Sequence, residues 1–412
     1  VGQREADAPA QHTRNRTRSP ETPSDTVFAM QMMSHALIDL DIPGNPADTR
    51  VVVAMSGGVD SAVAAAILKD AGYQVIGMTM QLYDAGITVG RTKTCCAGQD
   101  IYDARRTADH LGIPHYVVDY EATFMKDVMS AFADSYIAGE TPVPCVLCNQ
   151  TVKFRDLVQA ARDLDAAALV TGHYVRRIPT PQGPELWRGA DHGRDQSYFL
   201  FATTNEQLSY LRFPLGALDK DQTRAIARRH GLAVSEKSDS QDICFVPDGN
   251  YARVVQELRP ESTMPGDIVH IDGTVLGQHE GIIHFTVGQR RGLDIGGTAE
   301  RLYVIRVEPT SRRVIVGPRS ALGRDRFALR HVNWMPDKGT LPTEGAAVSI
   351  KVRNSFHPVP ATVYGRPGGW AEVVLDNPAD GVSPGQACVF YIGERMAGGG
   401  WIARNAPWEQ DI

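Results

Sequence analysis

At 412 residues, with 42% hydrophobic, 22% charged and 7% aromatic residues, the chain has the make-up of a folded protein of two or three domains, which excludes a disordered or fibrous one. Its net charge of −6 excludes a generally basic nucleic-acid coat but leaves room for a local basic groove. Six cysteines are too few for a disulfide scaffold in a chain of this length, and no secretory pattern or apolar run of the ~18 to 20 residues that span a bilayer is present, so a reducing, cytoplasmic setting without membrane attachment is expected.

The first 47 residues are polar, contain Arg and Pro and lack an apolar period, and are read as a disordered extension. Glu5, Asp7, Glu21 and Asp25 argue against an acid-poor transit peptide, and AMQMMSHALIDLDI adds a short helix before the fold proper. From Arg50 the pattern is regular. RVVVAM is a β-branched apolar run, the mark of a strand buried on both faces, and SGGVDS leads from it into the helix AVAAAILKDAG, closed by Gly72. YQVIGMTMQLY, IPHYVVDY and AALVTGHYV read as further strands. IYDARRTADHLG, TFMKDVMSAFADSYIAG, VKFRDLVQAARDLD and DQTRAIARRHGL read as helices. This alternation predicts an α/β domain with a doubly wound parallel sheet over residues 48–258, its ligands at the carboxyl ends of the strands.

Beyond residue 258 the texture is short alternating strands punctuated by Gly and Pro, as in MPGDIVHIDGTVLGQHEG, RLYVIRVEP and WAEVVLDNPADGVSPGQACVFYIG. Two small all-β modules are expected, a central one over 259–320 and a C-terminal β-barrel over 321–408, with a break near Pro318–Leu322.

The strongest local motif is VVVAMSGGVDSAVAAAILK. Strand, Gly-Gly turn and helix N-terminus set several backbone N–H groups against an anion, and Gly57 and Gly58 let the backbone approach it closely. Ser56 and Ser61 can donate hydroxyls to phosphate oxygens, while Asp60 cages Mg²⁺ or shapes the loop. No lysine stands at the Walker position. The motif resembles the SGGxDS pyrophosphatase loop (PP-loop) of ATP enzymes that split between the α- and β-phosphates. Ala54, Met55, Ser56, Gly57, Gly58, Val59, Asp60 and Ser61 are therefore the candidate ATP site. The loop alone leaves the acceptor open, because such enzymes make amides, NAD and GMP as well as thionucleotides.

PVPCVLCNQTVKF places Cys145 and Cys148 between a Pro-rich turn and a basic, apolar-patterned segment, and SEKSDSQDICFVP places Cys244 further on. With TGHYVR, RDQSYFLF, HFTVGQRRGLDIGG, KVRNS and SPGQACVFY, these motifs in this order resemble the tRNA-specific 2-thiouridylase family from about Arg50 to Trp401. The resemblance implies ATP-dependent adenylation of the C2 oxygen of uridine 34 and its replacement by sulfur. It implies that Cys148 attacks, that Cys244 carries a persulfide, and that the two can close as a disulfide between turnovers. It also implies a cysteine desulfurase or sulfur-relay protein as donor, and a monomer.

Cys145 departs from the family, many members of which carry Asp three residues before the nucleophile. Three readings stay open: a thiol acid/base or sulfur relay, a third ligand with Cys148 and Cys244 of a [4Fe–4S] cluster, or a bystander. A zinc site lacks its second pair of ligands. Cys95 and Cys96 are read as a structural loop, and Cys388 as packed barrel core. A tRNA partner needs phosphate contacts and a pocket for one flipped base. By resemblance the tRNA candidates are Val143, Pro144 and Cys145, then His173, Arg194, Asp195, Gln196, Arg353, Asn354 and Gln386, with Met80 and Gly172 beside the adenosine. His173 as a strand-end histidine, Arg353 as an ordinary barrel residue, and Arg290 and Arg291 as a solvated turn are the plainer alternatives. The rival classes are a PP-loop amide ligase, which needs neither Cys148 nor Cys244, and a non-catalytic RNA-binding module.

Overall fold

The computed structural model describes residues 40–83, 96–239, 243–246, 248–296, 300–336 and 339–409, the side chains of 96, 97 and 409 excepted. The helix expected across 29–42 and Cys95 thus lie largely or wholly outside the described residues.

Seven strands lie in the first part of the chain: β1 (Arg50–Ala54), β2 (Gln74–Gln81), β3 (His115–Asp119), β4 (Ala168–Val170), β5 (Val175–Ile178), β6 (Glu185–Arg188) and β7 (Leu211–Arg212). Five of them form a parallel sheet in the order β3-β2-β1-β4-β7. Val51, Val52 and Val53 have no exposed surface, as a β-branched run covered on both faces requires. Helix α1 (Val59–Asp70) packs its small face, Ala62 to Ala66, against that strand, and α2 (Cys96–Leu111) follows β2. α3 is built of Glu121–Phe124, the π-helical Met125–Ser130 and Ala131–Ile137. α4 starts at Pro144–Cys148 and continues through a π-helical stretch, Asn149–Leu157, into Val158–Asp163. α5 (Asn205–Tyr210) and α6 (Lys220–Arg229) each open with a complete capping box, Thr204 with Gln207 and Asp219 with Gln222.

The cysteine pair, expected between a Pro-rich turn and a basic segment, lies on the short helix Pro144–Cys148, with Pro144 preset for the first helical position. One local expectation changes. AALVTGHYV is not one strand: it breaks after Val170, and β5 leaves the parallel sheet to form a hairpin with β6.

Contacts to the α/β part begin at Leu40, before the expected boundary at residue 47. Leu40 is buried, and the buried Arg212 guanidinium donates to the carbonyls of Leu40 and Asp41, while Asp41 pairs with Arg177 at 3.0 Å. Burial, with Arg177 nearby, pulls the Arg212 pKa down to about 10. Starting the chain at residue 47 should therefore cost about 1–3 kcal/mol relative to a start at residue 40, by leaving that guanidinium short of acceptors. A pair of thermal melts checks this, and equal midpoints would contradict it.

After α7 (Tyr251–Leu258), strands β8 (Gly266–His270), β9 (Val275–His279), β10 (Tyr303–Glu308) and β11 (Arg313–Gly317) form a separate sheet, ordered β10-β11-β8-β9, around Ile268, Val304, Val314 and Val316. Then β12 (Arg324–Trp334), β13 (Ala346–Lys351), β14 (Val359–Arg366), β15 (Trp370–Ala379), β16 (Ala387–Ile392) and β17 (Arg395–Ile402) run in the order β12-β15-β14-β13-β16-β17, and β12 pairs back to β17. The barrel is closed, and Cys388 lies fully inside it. The β5–β6 hairpin joins this sheet through β17, with Met396 opposite Leu186. Leu186, Tyr198 and Phe201 from the α/β part share one apolar core with Val389, Tyr391 and Met396 from the barrel.

Candidate active site

The order β3-β2-β1-β4-β7 reverses direction between β1 and β4, so a crevice opens beyond their carboxyl ends. The SGGVDS loop lies in it. Ser61 is turned inward: its hydroxyl donates to the Gly58 carbonyl at 3.2 Å and accepts from the Ser56 amide at 3.1 Å, so it braces the loop. Gly57 has φ +72°, and a Cβ there would lie 2.2 Å from the Asp100 carbonyl oxygen, a collision with backbone. The chain break after β4 has the same origin. A Cβ on Gly172 would meet the Ser61 amide nitrogen at 2.8 Å, so past β4 the backbone passes directly over the start of α1. Gly172→Ala should push this crossing off the loop and lower ATP affinity by about tenfold or more; unchanged affinity in equilibrium titration would refute it.

Two lysines from distant segments reach the loop. Lys220 Nζ, on α6, lies 2.8 Å and 3.0 Å from the Asp60 carboxylate oxygens and 2.6 Å from Asp239. Tyr174 donates its hydroxyl to Asp60 at 2.8 Å. Against the cost of its burial, the ammonium of Lys220, with Arg194 and Arg224, holds the Asp239 carboxyl below the usual range. Lys237 Nζ donates to the Gly57 carbonyl at 3.1 Å and pairs with Asp100 at 2.8 Å and Asp103 at 2.6 Å. The cations beside this loop therefore come from outside the SGGVDS motif, and both are paired with carboxylates.

A cavity of about 700 Å³ opens on this loop, lined by Ser56, Gly58, Val59 and Asp60 on one side. Val143, Pro144, Cys145 and His173 line it too, as do Arg194, Asp195, Gln196, and Asn354 and Gln386 from the barrel. Within that wall Asp195 is spent internally: it pairs with Arg188 at 3.1 Å and accepts from the Gly189 and Ser197 amides and the Ser197 hydroxyl. Gln196 accepts from the Tyr174 amide at 2.9 Å, and Gln386 donates to the Thr141 carbonyl at 2.9 Å. Arg194 reaches Asp239 at 2.7 Å. His173 is neutral: burial, with Lys153 nearby, takes its pKa down to about 3, and its Nδ1 shares a 2.7 Å hydrogen bond with Thr171. Arg353 lies apart, over the Phe356 ring and lining a separate cavity of about 420 Å³ with Arg319 and Asp380.

A second cavity of about 330 Å³ adjoins the first. Ala54, Met55, Ser56 and Met80 line it from the sheet, and Cys145, Cys148 and Cys244 from the other side. Ser56, Asp100, Pro144, Cys145, Lys153 and Ile243 line both cavities, so they form the passage between phosphate loop and thiols. Cys148 is buried among Phe124, Val128, Phe132 and Phe245. Cys145 and Cys244 open onto cavity space, and Tyr83 holds the Cys244 carbonyl at 2.8 Å. All three are free thiols, and burial raises each of them; Cys244, with Cys148 and Cys145 nearby, is pushed up to about 12. Among the described residues no three His, Cys, Asp or Glu side chains converge as a metal group, so the donor set for a [4Fe–4S] cluster is not assembled here.

Lys153, Lys220, Lys237 and Asp239 were not singled out by the sequence. The signal for Lys153 is its place five residues after Cys148 in a motif already quoted, and that for Lys237 and Asp239 is their place seven and five residues before Cys244 in SEKSDSQDICFVP; Lys220 carries none outside the fold.

An SGGVDS loop at the switch point of a parallel sheet, with thiols in the adjoining cavity, defines a PP-loop ATP enzyme with a thiol-bearing acceptor site. Profiles described as "tRNA methyl transferase HUP domain", "tRNA methyl transferase PRC-barrel domain" and "Aminomethyltransferase beta-barrel domain" match residues 49–248, 253–318 and 324–402. The tRNA-specific 2-thiouridylase MnmA of Rhodospirillum centenum is 61% identical over 366 residues, covering 87% of this chain and 93% of that protein. Those of Rhodospirillum rubrum and Paracoccus denitrificans are 60% and 56% identical, covering 87% and 89% of this chain and 97% and 94% of theirs. The chain belongs to the tRNA-specific 2-thiouridylase family.

Proposed function

We propose that this protein thiolates C2 of uridine 34 in tRNA at the expense of ATP; formation of 2-thiouridine in tRNA by an ATP-dependent sulfurtransferase follows from its family. The observation that carries the residue-level reading is the shared wall of the two cavities: the phosphate loop opens on one, the three thiols and the adenosine candidates Ala54, Met55 and Met80 on the other, and the two meet at Cys145 and Pro144. Uracil O2 attacks the α-phosphorus and pyrophosphate leaves. The terminal sulfur of a Cys244 persulfide then attacks C2, and AMP departs with the former O2. The Cys148 thiolate attacks Cys244 Sγ, which expels 2-thiouridine and leaves a Cys148–Cys244 disulfide for a thiol reductant to open. Gly58 and the start of α1 offer amides to the phosphates.

Mg²⁺ would neutralise the departing pyrophosphate, and Asp60 and Asp239, which converge on one ammonium, are the carboxylates suited to hold it. No step is derived through a cluster. The persulfide is expected to come from a cysteine desulfurase or a relay protein, acting on a monomer in the cytoplasm. Arg194, Asn354 and His173 face the space where the anticodon base would enter. Methyl transfer, the word in two profile descriptions, would use neither ATP cleavage nor paired thiols.

The test is single-turnover reaction of persulfide-charged, iron-free protein with ATP and a U34 tRNA. One pyrophosphate and one 2-thiouridine per enzyme, both requiring tRNA, are expected. Pyrophosphate without tRNA would favour the amide ligase, and none at all a binding module.

A further inference from the structure

The chemistry just described needs an anionic sulfur at Cys148, which is buried among Phe124, Val128 and Phe245, and burial raises its thiol. A neutral, buried cysteine is a poor nucleophile, so some positive charge must face it. Of the residues lining the thiol cavity, two are charged, Asp100 and Lys153. Asp100 is already paired with Lys237 at 2.8 Å. Lys220 and Lys237 are likewise bound to carboxylates. Lys153 has no ion pair or hydrogen bond with any described residue, and it lines both cavities.

The helix explains why it points there. In an α-helix a residue five positions on is rotated by about 140° from the first, which would carry Lys153 away from Cys148. From Asn149 to Leu157, however, the winding is π-helical, and i→i+5 closure brings the fifth residue back over the first. The helix thereby presents Cys148 and Lys153 to one cavity, at the cost of an irregular backbone. Cys145, one turn earlier, opens on the same space.

We propose that Lys153 is a positioning residue of the sulfur-transfer step, its ammonium holding the Cys148 sulfur as thiolate at the junction of the two cavities. This rests on Cys148 being the attacking thiol. The proton lost goes to solvent through the cavity mouth, and the ammonium keeps its own. The electrostatics agree in direction: Lys153 opposes the effect of burial at Cys145, Cys148 and Cys244. The other titratable groups lining the cavity with Cys148 are Cys145 on its own helix, Cys244, Tyr83 two residues past β2 and Asp100 on α2.

The experiment is the pH profile of iodoacetamide alkylation at Cys148 in the full chain, read by peptide mass spectrometry, for the wild type, Lys153→Met and Lys153→Arg. Loss of the charge should raise the midpoint by about one pH unit and slow alkylation about tenfold at neutral pH, with Arg restoring most of the rate. A midpoint unmoved in Lys153→Met overturns the proposal. If that variant fails to fold, as judged by its melt, Lys153→Arg still decides: a fall as large as for complete removal of the thiol's reactivity would mean a packing role. Thiolation by Cys148→Ser is measured alongside. Activity retained there, with the midpoint shift present, removes the nucleophile reading and leaves the charge effect standing; the converse pattern removes only the role of Lys153.

Discussion

Cys148→Ser is expected to reduce thiolation on the order of 10³-fold or more while leaving ATP affinity within about twofold. The hydroxyl fits the same buried site among Phe124, Val128 and Phe132, so the fold should persist. What it cannot do is ionise near neutral pH or form the disulfide that expels the product. ATP affinity should survive because Cys148 does not line the cavity that opens on the phosphate loop, and exchanging its SH for OH changes little of the wall it shares with Ala54, Met55 and Met80. Equilibrium ATP binding and single-turnover thiolation check both halves. A loss of ATP affinity would mean that Cys148 supports the nucleotide site.

The second large effect is expected at Asp60. Asp60→Ala should slow tRNA-dependent pyrophosphate release about 10²- to 10³-fold with little loss of stability. Lys220 would keep Asp239 at 2.6 Å, so no buried charge is stranded. What disappears is the carboxylate that fixes Lys220 and Tyr174 beside the loop and is suited to hold the cation. Pyrophosphate release at the wild-type rate would contradict the role given to this loop. The melting midpoint of the variant separates a local from a global effect.

The parts of this molecule that could be read from its sequence are those in which chemistry and chain are contiguous. Ser56 to Ser61 carries strand end, turn and helix start in one stretch, and each residue type has a local reason to be there. The β-branched run at Val51–Val53 announces a covered strand, and the alternation around Cys388 a barrel wall. Contacts made across the chain were silent. Lys220 lies 160 positions from Asp60 and Lys237 lies 180 from Gly57, so even the quoted motif that contains Lys237 does not reveal its partner. The break in AALVTGHYV was missed because an apolar run describes burial, not the close crossing that Gly172 makes over α1. Cys145 and Cys148 were recognised as a pair, but their helical setting was hidden by the prolines before them, which suit a turn and a first helical turn equally.

The β5–β6 hairpin has a consequence for anyone who recombines relatives of this protein. Because it is stitched to β17 and shares the core of Leu186, Tyr198 and Phe201 with Val389, Tyr391 and Met396, the barrel is not a cassette. A chimera joined at residue 323 would inherit two halves of one interior from different parents. Its success would depend on whether those six side chains had drifted together, and the exchange that preserves fit would be to carry residues 175–201 along with the barrel.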